Sequence, residues 1–181
     1  MQFETTISQM GNMKKLIIIV FISIIISSCQ QKSESENNNK IVAVENLTSR
    51  TSANVDTALK FINSYVENCN KKNSMEIVKW VTSNSYTTEK FRNELTQLIK
   101  NANTIDPELG LGFDPIFNAQ DYPEEGFKLE SLDTKSGYLV VTGKNWKDFK
   151  LKMKLIEDNN KWLVDGCGII NIPKIKQIKQ H

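Results

Sequence analysis

The chain has 181 residues, of which 24% are charged, and its formal net charge at neutral pH is +2. This length suits one small domain with a single hydrophobic core and a leader segment. A nearly neutral chain lacks the strongly basic face of nucleic-acid-binding proteins, so the sequence argues against nucleic acid as a partner. The single histidine is His181 and the three cysteines form no CxxC pair, so we predict no metal site and no cofactor.

An apolar run near the N-terminus indicates export. Residues 16–26 follow two lysines and are apolar apart from one serine; two further serines and Cys29 come next. This layout is typical of a secretory signal, and the run is shorter than the about 20 apolar residues that span a bilayer. We therefore predict a signal peptide over residues 1–28. Residues 1–12 look like neither signal nor domain, so we expect the natural start at Met13.

Residues 26–29, reading Ile-Ser-Ser-Cys, resemble the bacterial lipobox. The resemblance implies that the cysteine is lipidated and becomes the first residue of the mature protein, so we predict a lipid on Cys29. The alternative is an uncleaved anchor with an incidental cysteine. A lipidated Cys29 would hold the protein on a membrane of the bacterial cell envelope, and we expect the outer membrane.

Polar segments flank the predicted domain on both sides. After Cys29, residues 30–53 are rich in Ser, Asn, Gln and Glu and contain no aromatic residue. This composition predicts a flexible tether that begins at the lipidated cysteine and covers residues 29–53. At the other end, residues 173–181 form a basic tail. This tail could lie on anionic lipid, but its short length favours a frayed end.

The first half of the domain, which we place at residues 54–172, predicts three helices. Apolar residues recur with the helical period over 54–70, and a short helix fits 74–81 with Ser74 as its N-cap. A third helix fits 87–103, with Thr87 or Thr88 as the cap.

The second half predicts strands. Residues 149–155 alternate strictly between apolar and lysine side chains, 138–142 are rich in β-branched residues, and 162–170 fit a returning strand after a turn at 157–160. Residues 127–132 form a weaker strand. Helices followed by a run of strands indicate an α+β domain with helices packed on one face of an antiparallel sheet.

This order of elements, with Asp114-Pro115 followed closely by Gln120-Asp121, resembles the YbjP-like bacterial lipoprotein family. The resemblance covers roughly residues 55–170. It implies a cone-shaped domain similar to nuclear-transport-factor-like and cystatin-like folds, with helices packed into a curved sheet. It implies no activity, since none is established for the family and such folds host many functions.

Seven residues form the candidate pocket: Tyr65, Trp80, Phe113, Asp114, Gln120, Asp121 and Tyr122. Its carboxylates could bind a cation or act as acid and base, and its aromatic side chains could line a ligand site. The alternative, which we favour, is that these side chains have a structural role. The polar residues then cap turns and bond backbone amides, and the aromatic residues belong to the core.

Three lysines, Lys150, Lys152 and Lys154, share one face of their strand and form the candidate partner face. They could bind an acidic protein or an anionic polymer. The alternative is a solvated outer face on which lysines discourage aggregation.

The remaining cysteines, Cys69 and Cys167, could form a disulfide in an exported protein. The alternative is two free thiols, since cysteine is often buried.

These observations favour a non-catalytic binding module, with another protein as its partner. An immunity-type inhibitor of an incoming toxin is one version. No histidine lies within the domain to activate a serine or cysteine nucleophile, and no catalytic motif is present, so the sequence argues against an enzyme. The alternative is a small-molecule binder or weak catalyst that uses Asp114 and Asp121.

Overall fold

The computed structural model describes residues 54–180, which form three helices and a four-stranded antiparallel sheet. The expected α+β class is confirmed. The predicted signal peptide, Cys29 and the tether lie outside the described residues.

The helices agree closely with the predicted ones. Residues 54–69 are helical (α1), and they are followed by α2 at Ile77–Ser83 and α3 at Glu89–Ile105. The predicted cap of α3 is confirmed at Thr88, whose hydroxyl accepts a 3.0 Å hydrogen bond from the Phe91 amide. This bond satisfies one of the amides that a helix N-terminus leaves without an internal partner.

Ser74 does not cap α2, and that prediction was wrong. The side chain of Asn68 in α1 bonds both the amide and the carbonyl of Met75, at 3.0 and 2.9 Å. The helix begins after this attachment. Glu76 is its cap, and its carboxylate oxygens accept hydrogen bonds from the Val78 and Lys79 amides.

The sheet is a meander in which each strand pairs with the next in sequence, in the order β1-β2-β3-β4. The strands are β1 Phe127–Asp133, β2 Tyr138–Gly143, β3 Lys150–Asp158 and β4 Lys161–Cys167. Asn159 and Asn160 connect β3 and β4 with φ values of 49° and 61°, as a tight two-residue hairpin requires. β4 ends three residues earlier than predicted because Gly168, at φ +62°, turns the chain out of the extended conformation.

Alternation along β3 divides the sheet into two faces. Leu151, Met153 and Leu155 are buried, and the first two pair with the buried residues Val141 and Leu139 of β2. The intervening lysines pair with β2 residues of the opposite face: Lys150 with Thr142, Lys152 with Val140 and Lys154 with Tyr138. This register follows from the period of two along a strand, and it confirms that the three lysines share a face.

The helices cover the apolar face of the sheet and supply eight of the twenty buried residues of the core cluster. Phe61 and Ile62 of α1 and Phe91 and Leu95 of α3 are fully buried in one cluster with the inward residues of the strands. Asn63 fastens α1 to β1, since its amide group bonds both the amide and the carbonyl of Phe127, at 2.6 and 3.1 Å. The chain before α3 also joins the sheet, with Thr87 bridged in parallel to Val164 of β4.

The C-terminal tail is ordered against the domain, so the expectation of a frayed end was wrong. Asn118 donates a 3.0 Å hydrogen bond to the Ile178 carbonyl, and Gln180 donates a 2.7 Å bond to the Lys150 carbonyl. The Lys176 amine lies 4.1 Å from the ring centroid of Tyr138. These contacts place the tail beside the lysine-bearing face of the sheet.

Candidate functional site

Asp114 organises the loop between the helices and the sheet. With Pro115 it opens a tight turn that two backbone hydrogen bonds between Asp114 and Ala119 close, at 2.9 and 3.3 Å. Its Oδ1 accepts hydrogen bonds from the amides of Ile116 (2.8 Å) and Phe117 (3.1 Å). An aspartate that bonds amides two and three residues ahead stabilises its own turn, which is the local role that the sequence favours.

The second carboxylate oxygen of Asp114 reaches into the domain. Its Oδ2 accepts a 2.5 Å hydrogen bond from the Tyr65 hydroxyl of α1. Burial raises the pKa of Asp114, while the hydrogen bonds from Tyr65 and the two amides act in the opposite direction. Burial and the adjacent carboxylate raise the pKa of Tyr65, so this hydroxyl stays protonated and serves as a donor. Both oxygens of Asp114 therefore have internal partners.

Gln120 and Asp121 do not join this cluster. The Gln120 side chain is exposed and donates a 3.0 Å hydrogen bond to the Gly112 carbonyl, which braces the loop. Asp121 is exposed, whereas Asp114 points inward to Tyr65. The two carboxylates thus occupy different environments and do not form a shared acid–base or cation site.

The candidate aromatic residues pack on one another. The Tyr65 ring lies 4.8 Å from Trp80 and 5.0 Å from Phe117, and Tyr122 stacks on Phe117 at 4.8 Å. Such centroid distances are those of direct aromatic contacts. Phe113 is half-buried in the same loop. These rings therefore fill the space that the pocket hypothesis requires for a ligand.

Two surface clefts of the described residues are not lined by the candidate carboxylates. A shallow cleft of about 460 Å³ lies along α1, lined mainly by its polar residues and by Tyr86. A second, of about 260 Å³, lies on the lysine-bearing face and includes Lys152 and Lys176. Neither cleft contains Asp114 or Asp121.

Cys69 and Cys167 are free thiols in the structure. Cys167 is buried at the end of β4, where its sulfur lies 3.6 Å from the Ile116 carbonyl oxygen. Burial, and secondarily the Asp114 carboxylate, raises the pKa of Cys69 to about 11 and also raises that of Cys167. Both thiols are therefore protonated at neutral pH, and a protonated thiol is a poor nucleophile.

Two of the three lysines of the candidate partner face have acidic partners within the domain. Lys150 contacts Glu130 at 2.5 Å, and Lys154 contacts Asp165 at 2.7 Å. Within residues 54–180, no carboxylate lies within salt-bridge distance of Lys152. The charge that this face offers to a partner is therefore smaller than the sequence alone indicates.

Several residues that shape these surfaces gave no sequence signal. Asn63 reads as one polar position of an amphipathic helix, and Asn118 and Gln180 read as ordinary polar residues. Each bonds the backbone of a distant segment. Sequence patterns indicate the local periodicity of helices and strands, but they do not indicate hydrogen bonds to distant segments.

No group of three or more histidine, cysteine, aspartate or glutamate side chains between residues 54 and 180 is arranged to hold a metal ion. No helix within that range is long and apolar enough to cross a membrane.

Comparison with known proteins finds no matching family model, no matching curated protein and no matching solved structure. The resemblance to the YbjP-like family therefore stays a prediction.

Proposed function

We propose that this protein is a non-catalytic binding module of the bacterial envelope, held to a membrane by a lipid on Cys29, with another protein as its partner. The observation that carries the proposal is the state of Asp114. Its Oδ1 accepts two backbone amides and its Oδ2 accepts the Tyr65 hydroxyl. The residue that the catalytic alternative most requires is thus committed to holding the fold.

A docking surface for a protein partner is available at the end of α3. Ile105, the last residue of the helix, is 86% exposed, and Leu109, one turn further on, is 70% exposed. The Asp106 carboxylate accepts hydrogen bonds from the Glu108 and Leu109 amides at 3.1 and 2.9 Å, which fixes the turn. We call Ile105 and Leu109 the apolar tip. Apolar side chains presented by an ordered turn suit the central contacts of a protein interface.

The lysine-bearing face is the second surface for a partner, with Lys152 as its main contribution. A lysine without an acidic partner among residues 54–180 can attract an acidic protein at long range. It adds less to affinity than a buried apolar contact does, because exposed charges are well solvated.

Site-specific photo-cross-linking of the full chain in its native envelope tests the proposal. A photoreactive residue is placed at Leu109, at Lys152 and, as a control, at the exposed Lys90 at the start of α3. We expect one adduct of defined mass from position 109, a weaker adduct from 152 and none from 90. Adducts of equal yield at all three positions, or none at any, would refute a protein-binding role for these surfaces.

The lipid anchor has an independent test. The intact mass of the membrane-extracted protein should show acyl mass on an N-terminal Cys29, and Cys29→Ala should release the protein from the membrane. A variant that remains in the membrane fraction after a high-salt wash would overturn the anchor, and it would leave the cross-linking result unaffected.

A further inference from the structure

The tail presents a turn whose outward side chain is apolar. Residues Lys174–Lys176 form one 3₁₀ turn, closed by hydrogen bonds from the Lys176 amide to the Pro173 carbonyl (2.7 Å) and from the Gln177 amide to the Lys174 carbonyl (3.3 Å). Ile175 at its centre is 95% exposed. An isoleucine between two lysines is thus held almost entirely in solvent.

Contacts on both sides of this turn fix it to the domain. The Lys176 amine stacks over the Tyr138 ring of β2, and the Gln177 side chain donates a 2.7 Å hydrogen bond to the Ile172 carbonyl. Further along, the Ile178 carbonyl accepts from Asn118. The exposure of Ile175 is therefore a feature of an ordered turn.

A small positively charged cleft lies beside the turn. Lys152 and Lys176 line it together with Ser131 and Ser136, in a volume of about 260 Å³. One acidic residue, Asp133, also lines it, and its oxygens accept hydrogen bonds from the Ser136 hydroxyl and from the Lys135 and Ser136 amides. The hydroxyl bond and the amide bonds lower the pKa of Asp133, which keeps it charged and engaged in its own turn. The two amines therefore add positive charge beside the turn, where the Lys176 amine also lies over the Tyr138 ring.

We propose that this tail surface, defined by Lys174, Ile175, Lys176 and Lys179, docks on an anionic phospholipid membrane. Ile175 enters the boundary between headgroups and acyl chains, and the lysines of the tail lie among the headgroups. Basic side chains around an apolar one are the pattern that anionic bilayers retain at their surface. The inference rests on the membrane location in the proposed function and adds an orientation of the domain against the bilayer.

Depth-dependent fluorescence quenching tests the docking. Full-length protein extracted from its membrane is reconstituted into vesicles of brominated phosphatidylcholine, with or without phosphatidylglycerol. The Ile175→Trp variant is compared with the parent chain, and Ile105→Trp, another highly exposed isoleucine, is the matched control. We expect added quenching from position 175 in the anionic vesicles. In neutral vesicles this added quenching should be smaller by about twofold or more, because each lysine near an anionic surface strengthens binding about fivefold. Position 105 should show none.

The possible results separate attachment to the vesicle from docking of the tail. Vesicle flotation reports attachment separately: a chain that does not float with vesicles overturns both the anchor and the docking. A chain that floats while position 175 stays unquenched, or is quenched equally with 105, overturns the docking alone. An acidic protein as the true partner of the tail would appear as this second outcome. As a readout without substitution, amide exchange of residues 174–176 in the parent chain should slow on anionic but not on neutral vesicles.

Discussion

Replacing Tyr65 by phenylalanine tests the structural role of Asp114 most directly. The substitution keeps the aromatic ring among its neighbours and removes one hydroxyl. That hydroxyl donates a 2.5 Å hydrogen bond to Oδ2 of Asp114. A hydrogen bond to a charged group contributes about 1.5–3 kcal/mol to stability, and a bond between neutral groups about 1 kcal/mol. We therefore expect Tyr65→Phe to lower the free energy of unfolding by about 1.5–3 kcal/mol at pH 7.

The loss should depend on pH in a defined direction. Burial raises the pKa of folded Asp114 above its ordinary value of 3.8, so the folded chain binds a proton more readily than the unfolded chain does. This group's contribution to stability is accordingly greatest below pH 3.8 and falls as the pH rises through the folded pKa. The Tyr65 bond opposes that rise in pKa, so its removal is more costly when Asp114 is charged. The loss at pH 4 should therefore be smaller than at pH 7.

Urea unfolding at pH 4 and pH 7 measures both effects. With a denaturant slope of about 1–3 kcal/mol/M, the midpoint should fall by roughly 1 M at pH 7. The control is Tyr122→Phe, whose hydroxyl donates to Asn70 at an exposed site and should matter by less than about 0.5 kcal/mol. Equal losses at the two pH values, or no loss at either, would refute the charged hydrogen bond as the reason for the Tyr65 hydroxyl.

Three further substitutions probe other contacts. Asn63→Ala removes both hydrogen bonds from α1 to β1 and should lower the unfolding free energy by about 1–3 kcal/mol; an unchanged Tm would contradict this. Gly168→Ala places a Cβ 2.3 Å from two carbonyl oxygens at φ +62° and should cost roughly 2 kcal/mol or more in urea unfolding, whereas Gly112→Ala, which meets only a flexible leucine at 3.6 Å, should cost less. Lys154→Met leaves a buried carboxylate without its amine and should cost about 1–3 kcal/mol, whereas Lys150→Met, at an exposed ion pair, should stay within about 1 kcal/mol; equal thermal shifts would contradict the difference.

The elements of the fold were predictable because their signals are local. The alternation over residues 149–155 predicts both β3 and the side on which its lysines lie, and the structure has both. Thr88 ahead of an amphipathic stretch likewise predicts the start of α3. The prediction of Ser74 as the cap was wrong because the Asn68 side chain bonds Met75, and the helix begins only after this contact. The sequence of residues 74–81 alone does not indicate that hydrogen bond.

The site was predictable only in part, for the same physical reason. An aspartate before a proline predicts a turn, and Asp114 bonds the amides that this turn requires. Its second partner, Tyr65, lies 49 residues earlier, and this pairing exists only when α1 has packed on the loop. The ordered tail was missed likewise, since its hydrogen bonds come from residues up to 60 positions away.

The meander topology has a consequence for the order of folding. All three strand pairings join neighbours in sequence, so the sheet can form as successive hairpins with little loop-closure entropy to overcome. Docking of α1 is different, since Asn63 and Phe127 are separated by 64 residues. The sheet can therefore assemble by local zipping. The closure of α1 onto β1 and the pairing of Thr87 with Val164 are long-range steps that would limit the rate at which the domain reaches its native state.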